Sequence, residues 1–187
     1  MSFITESQLK GYRNTTKFFS ATESLKQVRN ESKSYKTTIF LSHKHDELEF
    51  LDGAISFLKK EGIDVYVDWL DEGMPKNTSG VTATRIKQKI KENDKFILLA
   101  SEGAINSKWC NWELGLGDAA KYIENIALLP VEKDNTSFSG AEYLQIYPYI
   151  VYRNGNTTYT NGNLVPRGYY IKYPNGNITP LRDWLKK

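Results

Sequence analysis

The residues able to do chemistry gather at a few places. Trp109-Cys-Asn-Trp-Glu113 sets an indole and a carboxylate four positions apart. On a helix those two side chains share one face. An aromatic and a carboxylate are then presented together beside the mouth of the sheet; on spacing alone the pair reads equally as a core tryptophan and a solvated glutamate. A second cluster, Ser42-His-Lys-His-Asp46, collects a hydroxyl, two imidazoles, an ammonium and a carboxylate. Asp46 also reads as a helix N-cap, because Glu49 follows at capping-box spacing. His43, His45 and Asp46 are metal-ligand types, but no third imidazole or thiolate completes a cage, so no metal site is expected. Cys110 would need a paired imidazole to act as a nucleophile. Between two tryptophans it reads instead as a buried structural thiol.

The elements that must position these residues alternate along the middle of the chain. Thr37–Ser42, Ile63–Val67, Lys95–Ala100 and Ile126–Leu129 are short, β-branched or apolar runs that read as strands. Between them, Phe50, Leu51, Ala54, Ile55 and Leu58 recur at helical spacing, Val81–Glu92 reads as a second helix, and Ser107 caps a third that runs to about Tyr122. Alternating strands and helices imply a parallel sheet with right-handed crossovers. Ligands of such sheets sit at the carboxyl ends of the strands, which directs attention to Ser42–Asp46, Asp68–Ser79 and Ser101–Glu113. The 68–79 loop also holds Trp69 and Met74. A large apolar ring in a polar loop is costly unless it meets a ligand, a partner or its own domain.

The flanks differ from this core. Residues 1–35 carry a loose apolar stripe through Leu9, Tyr12, Phe18, Phe19, Leu25 and Val28, which predicts one or two helices. After Tyr147–Arg153, a further strand, Asn-Gly-Asn occurs at 154–156, 161–163 and 175–177. Asn-Gly is a strong hairpin signal, favouring turns of type I′. A β-meander is expected there, followed by a short helix from Thr179 with Pro180 at its first position. The predicted division is a helical segment over 1–35, an α/β domain over 36–152 and a β extension over 153–187.

Composition narrows the function classes. At 187 residues with 13% aromatics, the chain can bury a core without disulfides. A net charge of +3 is too near balance to announce a nucleic-acid or membrane-surface protein. The excess lies in the flanks: residues 36–130 hold twelve basic and fifteen acidic residues. One cysteine, no apolar leader and no long apolar run predict a reducing cytoplasm. A Gly-x-Gly-x-x-Gly turn and a Walker loop are both missing. A response-regulator receiver would need an Asp where Ala100-Ser101 ends its strand.

Taken in order, Ile39-Phe-Leu-Ser42 with Asp46, Gly62–Asp68, Asp71-Glu-Gly-Met-Pro75, Phe96–Ser101 and Trp109–Glu113 resemble the Toll/interleukin-1 receptor (TIR) domain family. The resemblance covers about residues 36–152. It implies a flavodoxin-like α/β fold, with a mostly parallel central sheet flanked by helices. It also implies one of two functions. Many animal TIR domains are assembly modules, whereas bacterial, plant and some animal members cleave NAD⁺ at the nicotinamide–ribose bond. In those enzymes the glutamate of Trp-x-x-x-Glu is catalytic, which maps onto Glu113. The resemblance then implies Trp109, Ser42, His43, Lys44, Trp69 and Met74 as substrate-binding residues. NAD⁺ would be a substrate, with no cofactor. Self-association would run through the 68–79 loop.

With no receptor or switch in the chain, the architecture is similar to stand-alone signal-producing TIR proteins of bacterial anti-phage systems such as Thoeris. There the ADP-ribose product activates a separate effector protein. Neither nucleic acid nor a membrane is expected as a partner. The competing readings are a non-catalytic assembly module and, as a lesser one, a nucleoside deoxyribosyltransferase-like enzyme.

Overall fold

A computed structural model describes residues 2–13, 37–61, 64–66, 80–136, 138, 142–159 and 161–186. The chain opens with β1 (Ile4–Thr5) and α1 (Glu6–Gly11). The alternating core follows: β2 (Thr38–Ser42), α2 (Leu48–Lys60), β3 (Asp64–Tyr66), α3 (Gly80–Glu92) and β4 (Lys95–Ala100). It continues with α4 (Glu102–Ile105), α5 (Lys108–Ala120) and β5 (Ile126–Glu132). Then come β6 (Tyr149–Arg153), β7 (Gly168–Lys172), β8 (Ile178–Pro180) and α6 (Leu181–Trp184). No helix among the described residues is long and apolar enough to cross a membrane.

The strands run in the order β3-β2-β4-β5-β6-β7-β8. From β3 to β6 every pairing is parallel, which gives the doubly wound order expected of a flavodoxin-like sheet. The order reverses between β2 and β4, so the carboxyl ends of these two strands frame the crevice where ligands of such folds bind. β4 is buried at all six positions. Alternate residues therefore feed two cores. Ile39, Leu41, Ile97, Leu99, Ala127 and Leu129 pack with Leu9, Leu51, Phe57 and Trp184 on one face. Phe40, Phe96, Leu98, Ala100 and Leu128 pack with Ile86, Ile90, Cys110 and Leu114 on the other. This split is the period of two along a strand acting on a sheet covered by helices on both sides.

Both flanks build onto this sheet. β1 pairs with β5 at Val131 and Glu132, beyond the single register point Leu128↔Tyr149 that joins β5 to β6. β5 thus continues through Pro130, where the apolar run predicted an end at Leu129. The N-terminal segment also bridges to β6, with backbone bonds in both directions between Ser2 and Tyr152. α1 crosses α2 closely: a Cβ at Gly53 would lie 2.2 Å from the Leu9 carbonyl oxygen, so glycine is needed there. Of the one or two helices predicted over residues 5–30, Glu6–Gly11 is a helix, capped by a Thr5–Gln8 capping box, and residues 14–36 lie outside the described residues.

The C-terminal extension adds β7 and β8 as antiparallel strands beyond β6. Its turns differ from the expected type I′. Gly155, Gly162 and Gly176 take positive φ (87°, 81° and 86°), but the preceding asparagines do not. Instead Asn154, Asn161 and Asn175 accept from the backbone N–H two residues on. Gly176 N–H also closes onto the Tyr173 carbonyl. Asn serves as a local acceptor and Gly alone supplies the left-handed residue, a turn-plus-bulge solution to the same hairpin. Pro180 ends β8 and stands at the N-cap of α6, one position earlier than predicted.

α6 seats Trp184, 1% exposed, against the first core. Its indole donates to the Glu124 carbonyl at 2.6 Å. Lys95, buried at the start of β4, lies 4.8 Å from the Trp184 ring centroid and donates to Asn125 Oδ1 at 2.5 Å. The extension therefore closes over the charged end of the central strand. Trp184→Ala should cost about 3–5 kcal/mol of stability. Urea unfolding monitored by far-UV circular dichroism measures this loss, and an unchanged midpoint would contradict the packing role.

Candidate functional site

Ser42 ends β2 on the face toward α5. Ser107 caps α5 as the sequence predicts, its hydroxyl accepting from Cys110 N–H at 3.3 Å. This start places Cys110, Glu113 and Leu114 on the buried side of α5. At Gly117 the helix lies against Phe96 of β4, where an added Cβ would sit 2.9 Å from the ring. Glu113 thereby reaches the crevice, and Ser42 Oγ donates to its Oε2 at 2.5 Å. Serine and carboxylate are 0% and 1% exposed. A short bond from hydroxyl to carboxylate is the charge-assisted kind, strengthened by a dry setting.

His43 follows Ser42 and is also buried. Its Nδ1 lies 3.1 Å from the Leu41 carbonyl oxygen, which can only accept, so the proton is assigned to Nδ1. The His43 and His45 rings meet edge-on at 5.2 Å. Trp109 is half-buried one turn before Glu113, its ring 4.7 Å from that of Trp112. The described structure thus brings Ser42, His43, Trp109 and Glu113 to one end of the sheet. Trp69, Met74 and the rest of the 68–79 loop lie outside the described residues. Cys110 is a buried thiol packed in the second core. Among the described residues, no group of three His, Cys, Asp or Glu side chains could hold a metal ion.

The predicted cap at Asp46 is corrected. α2 begins one residue later, with Glu47 as N-cap and no side-chain cap bond. Asp46 instead binds Lys44, whose Nζ donates to both carboxylate oxygens at 2.6 and 2.5 Å. The bond to the ammonium lowers the Asp46 pKa, and the same bond raises that of Lys44. Competition from a neighbouring ammonium explains the shift in the cap: a carboxylate two residues from a lysine pairs with it more readily than with the helix end.

Glu47 and Ser101 are site residues that motif reading missed. Ser101 Oγ donates to Glu47 Oε2 while accepting from Ala104 N–H at 3.0 Å as the cap of α4. A Cβ at Gly103 would lie 2.1 Å from Glu47 Oε1, so a side chain there would push this carboxylate from its present place on α4. A serine directly after a buried strand is the sequence signal for this second bridge. Two serine–carboxylate bonds therefore tie the loop after β2 to the segment after β4.

Burial raises the Glu47 pKa, against a lowering by the Ser101 bond. A raised folded-state pKa means that Glu47 contributes stability below its usual value near 4.5, which is lost as pH rises through the folded value. Glu47→Gln should therefore gain stability relative to wild type as pH rises from 4.5 toward neutrality. Urea titrations of both proteins along that pH series measure the difference. A constant gap would contradict the assignment.

Comparison with known proteins agrees with this geometry. A TIR domain family model matches residues 39–162. The chain is also similar to a Bacillus cereus (strain MSX-D12) protein described as a probable 3′ cyclic ADP-D-ribose synthase ThsB′. The two are 30% identical over 163 residues, which span 80% of this chain and 83% of the relative. A doubly wound sheet, a carboxylate at its crevice and a family match across most of its strands lead to one conclusion: this chain belongs to the TIR domain family.

Proposed function

We propose that this chain cleaves the nicotinamide–ribose bond of NAD⁺ and produces a cyclic or conjugated ADP-ribose signal, with Glu113 as the catalytic residue. The observation that carries the proposal is the Ser42–Glu113 pair at the crevice between β2 and β4. The description of the B. cereus relative as a cyclic ADP-D-ribose synthase supports the product class.

The chemistry suits a single carboxylate. The C1′–N bond breaks with its electron pair going to the pyridinium nitrogen, and nicotinamide leaves as a neutral molecule. No general acid is required. The ribose carries positive charge at C1′ in the transition state, and a fixed carboxylate in a dry site stabilises it. Glu113 would exchange its Ser42 hydroxyl for a ribose hydroxyl, with Trp109 as an apolar wall. His43 and Lys44 would meet the rest of the dinucleotide, and Lys44 would then have to leave Asp46. In cyclisation, a ribose hydroxyl of the same molecule attacks C1′ and gives up its own proton, or an adenine ring nitrogen attacks through its lone pair and the exocyclic amino group gives up a proton. In conjugation, a second molecule does so. NAD⁺ enters as substrate and no cofactor is needed. We also propose that Trp69 and Met74, in the 68–79 loop, join neighbouring copies, that the protein works in the cytoplasm and that the product acts on a separate effector protein in anti-phage defence.

Near-complete burial of Glu113 favours a second reading, a non-catalytic assembly module in which this carboxylate holds the fold. Nicotinamide release separates the two. Glu113→Gln should lower turnover by about a hundredfold or more while the thermal midpoint stays near wild type. Ser42→Ala should lower it by less. Assays must span protein concentration, because a site completed by a neighbouring copy is silent when dilute. Equal turnover in wild type and Glu113→Gln would sink the catalytic assignment, and no release at any concentration would favour the assembly module.

A further inference from the structure

On the sheet face opposite α5, the two flanks enclose a groove of about 510 Å³. That volume is in the range of small-molecule sites. Gln8 and Tyr12 of the N-terminal segment, Lys60 at the end of α2, Tyr152 of β6, and Arg167 and Tyr169 around the start of β7 line it. The Tyr152 and Tyr169 rings meet edge-on at 5.1 Å, and Tyr169 is backed by Phe57 at 4.8 Å. Burial raises the Tyr169 pKa, so its phenol remains a neutral donor. Lys60 Nζ lies 5.3 Å from the Tyr12 ring centroid, and the Arg167 guanidinium 5.8 Å from that of Tyr152. Arg167 Nε also donates to the Tyr152 hydroxyl.

Among the described residues, no Asp or Glu lines this groove. The carboxylates on neighbouring turns are engaged elsewhere: Glu61 with Arg182 at 2.6 Å, Glu49 with Arg13 at 2.6 Å, and Asp52 with Arg13 at 3.5 Å. Two cations, each over one of three neighbouring phenol rings and with no acid among the described lining residues, present an anion site beside flat apolar faces. Guanidinium and ammonium suit a phosphate, and tyrosine faces suit a planar ring.

We propose that this groove binds a nucleoside monophosphate, with its phosphate on Arg167 and Lys60 and its base against Tyr152 and Tyr169. The site is separate from the Ser42–Glu113 crevice and does not depend on catalysis there. Both flanks contribute to it, so occupancy would tie the N-terminal segment to the C-terminal extension.

Isothermal titration of the full chain with AMP, adenosine and inorganic phosphate tests this. AMP should bind wild type and Glu113→Gln within about threefold of each other, and more tightly than adenosine or phosphate alone. Arg167→Ala and Lys60→Ala should each weaken AMP about tenfold, the loss expected for one charged hydrogen bond. Arg167→Gln, which keeps a donor toward Tyr152, should weaken AMP similarly and guards against a folding defect in Arg167→Ala. Absence of AMP binding overturns the proposal. So does binding that survives the Arg167 and Lys60 substitutions, or phosphate binding as tightly as AMP.

Discussion

Burial of β4 on both faces is the constraint from which the rest of this structure follows. A strand with no exposed position must be flanked by strands on both edges and by helices above and below. Parallel pairing with β2 and β5 meets the first need, and two helical layers meet the second. Once β4 is central, the chain must reverse direction across the sheet beside it. That reversal opens a crevice at the ends of β2 and β4, and the residues after each strand come within reach of the other.

Two serine–carboxylate bonds occupy that crevice. Ser42 with Glu113 ties the end of β2 to α5, and Ser101 with Glu47 ties the end of β4 to the start of α2. Each joins residues more than fifty positions apart, so each reports correct crossover of the sheet. A carboxylate taken out of water is costly unless it is hydrogen-bonded. The serine hydroxyls offset that cost and hold the groups in place, and for Glu113 this is the preorganisation that the proposed catalysis requires. The core's acidic balance adds a requirement to the proposed reaction: the dinucleotide would be recognised by local groups, because the net charge of residues 36–130 does not attract it.

The flanks are structural as well as peripheral. β1 pairs with β5 past its contact with β6, β7 and β8 prolong the sheet, and α6 closes its end under Trp184. Covering an edge in this way hides backbone groups that would otherwise pair with other chains. The same flanks create the tyrosine-lined groove, which neither could form alone.

The sequence by itself determined the alternation of elements, the helix cap at Ser107, the hairpin positions at Asn-Gly, and the presence of Trp109 and Glu113 on one helix. These are legible because they depend on neighbours within a few residues: a period of two or 3.6, a cap three positions away, a glycine in a turn. Tertiary structure alone decided what Glu113 and Glu47 touch, why Asp46 turns from the helix end to Lys44, and why Lys95 and Trp184 meet. It also decided that Gly53 admits no side chain against the Leu9 backbone, and that a side chain at Gly103 would displace the Glu47 carboxylate. Such contacts join distant parts of the chain, and no local pattern encodes a partner that only the crossing of the sheet brings near.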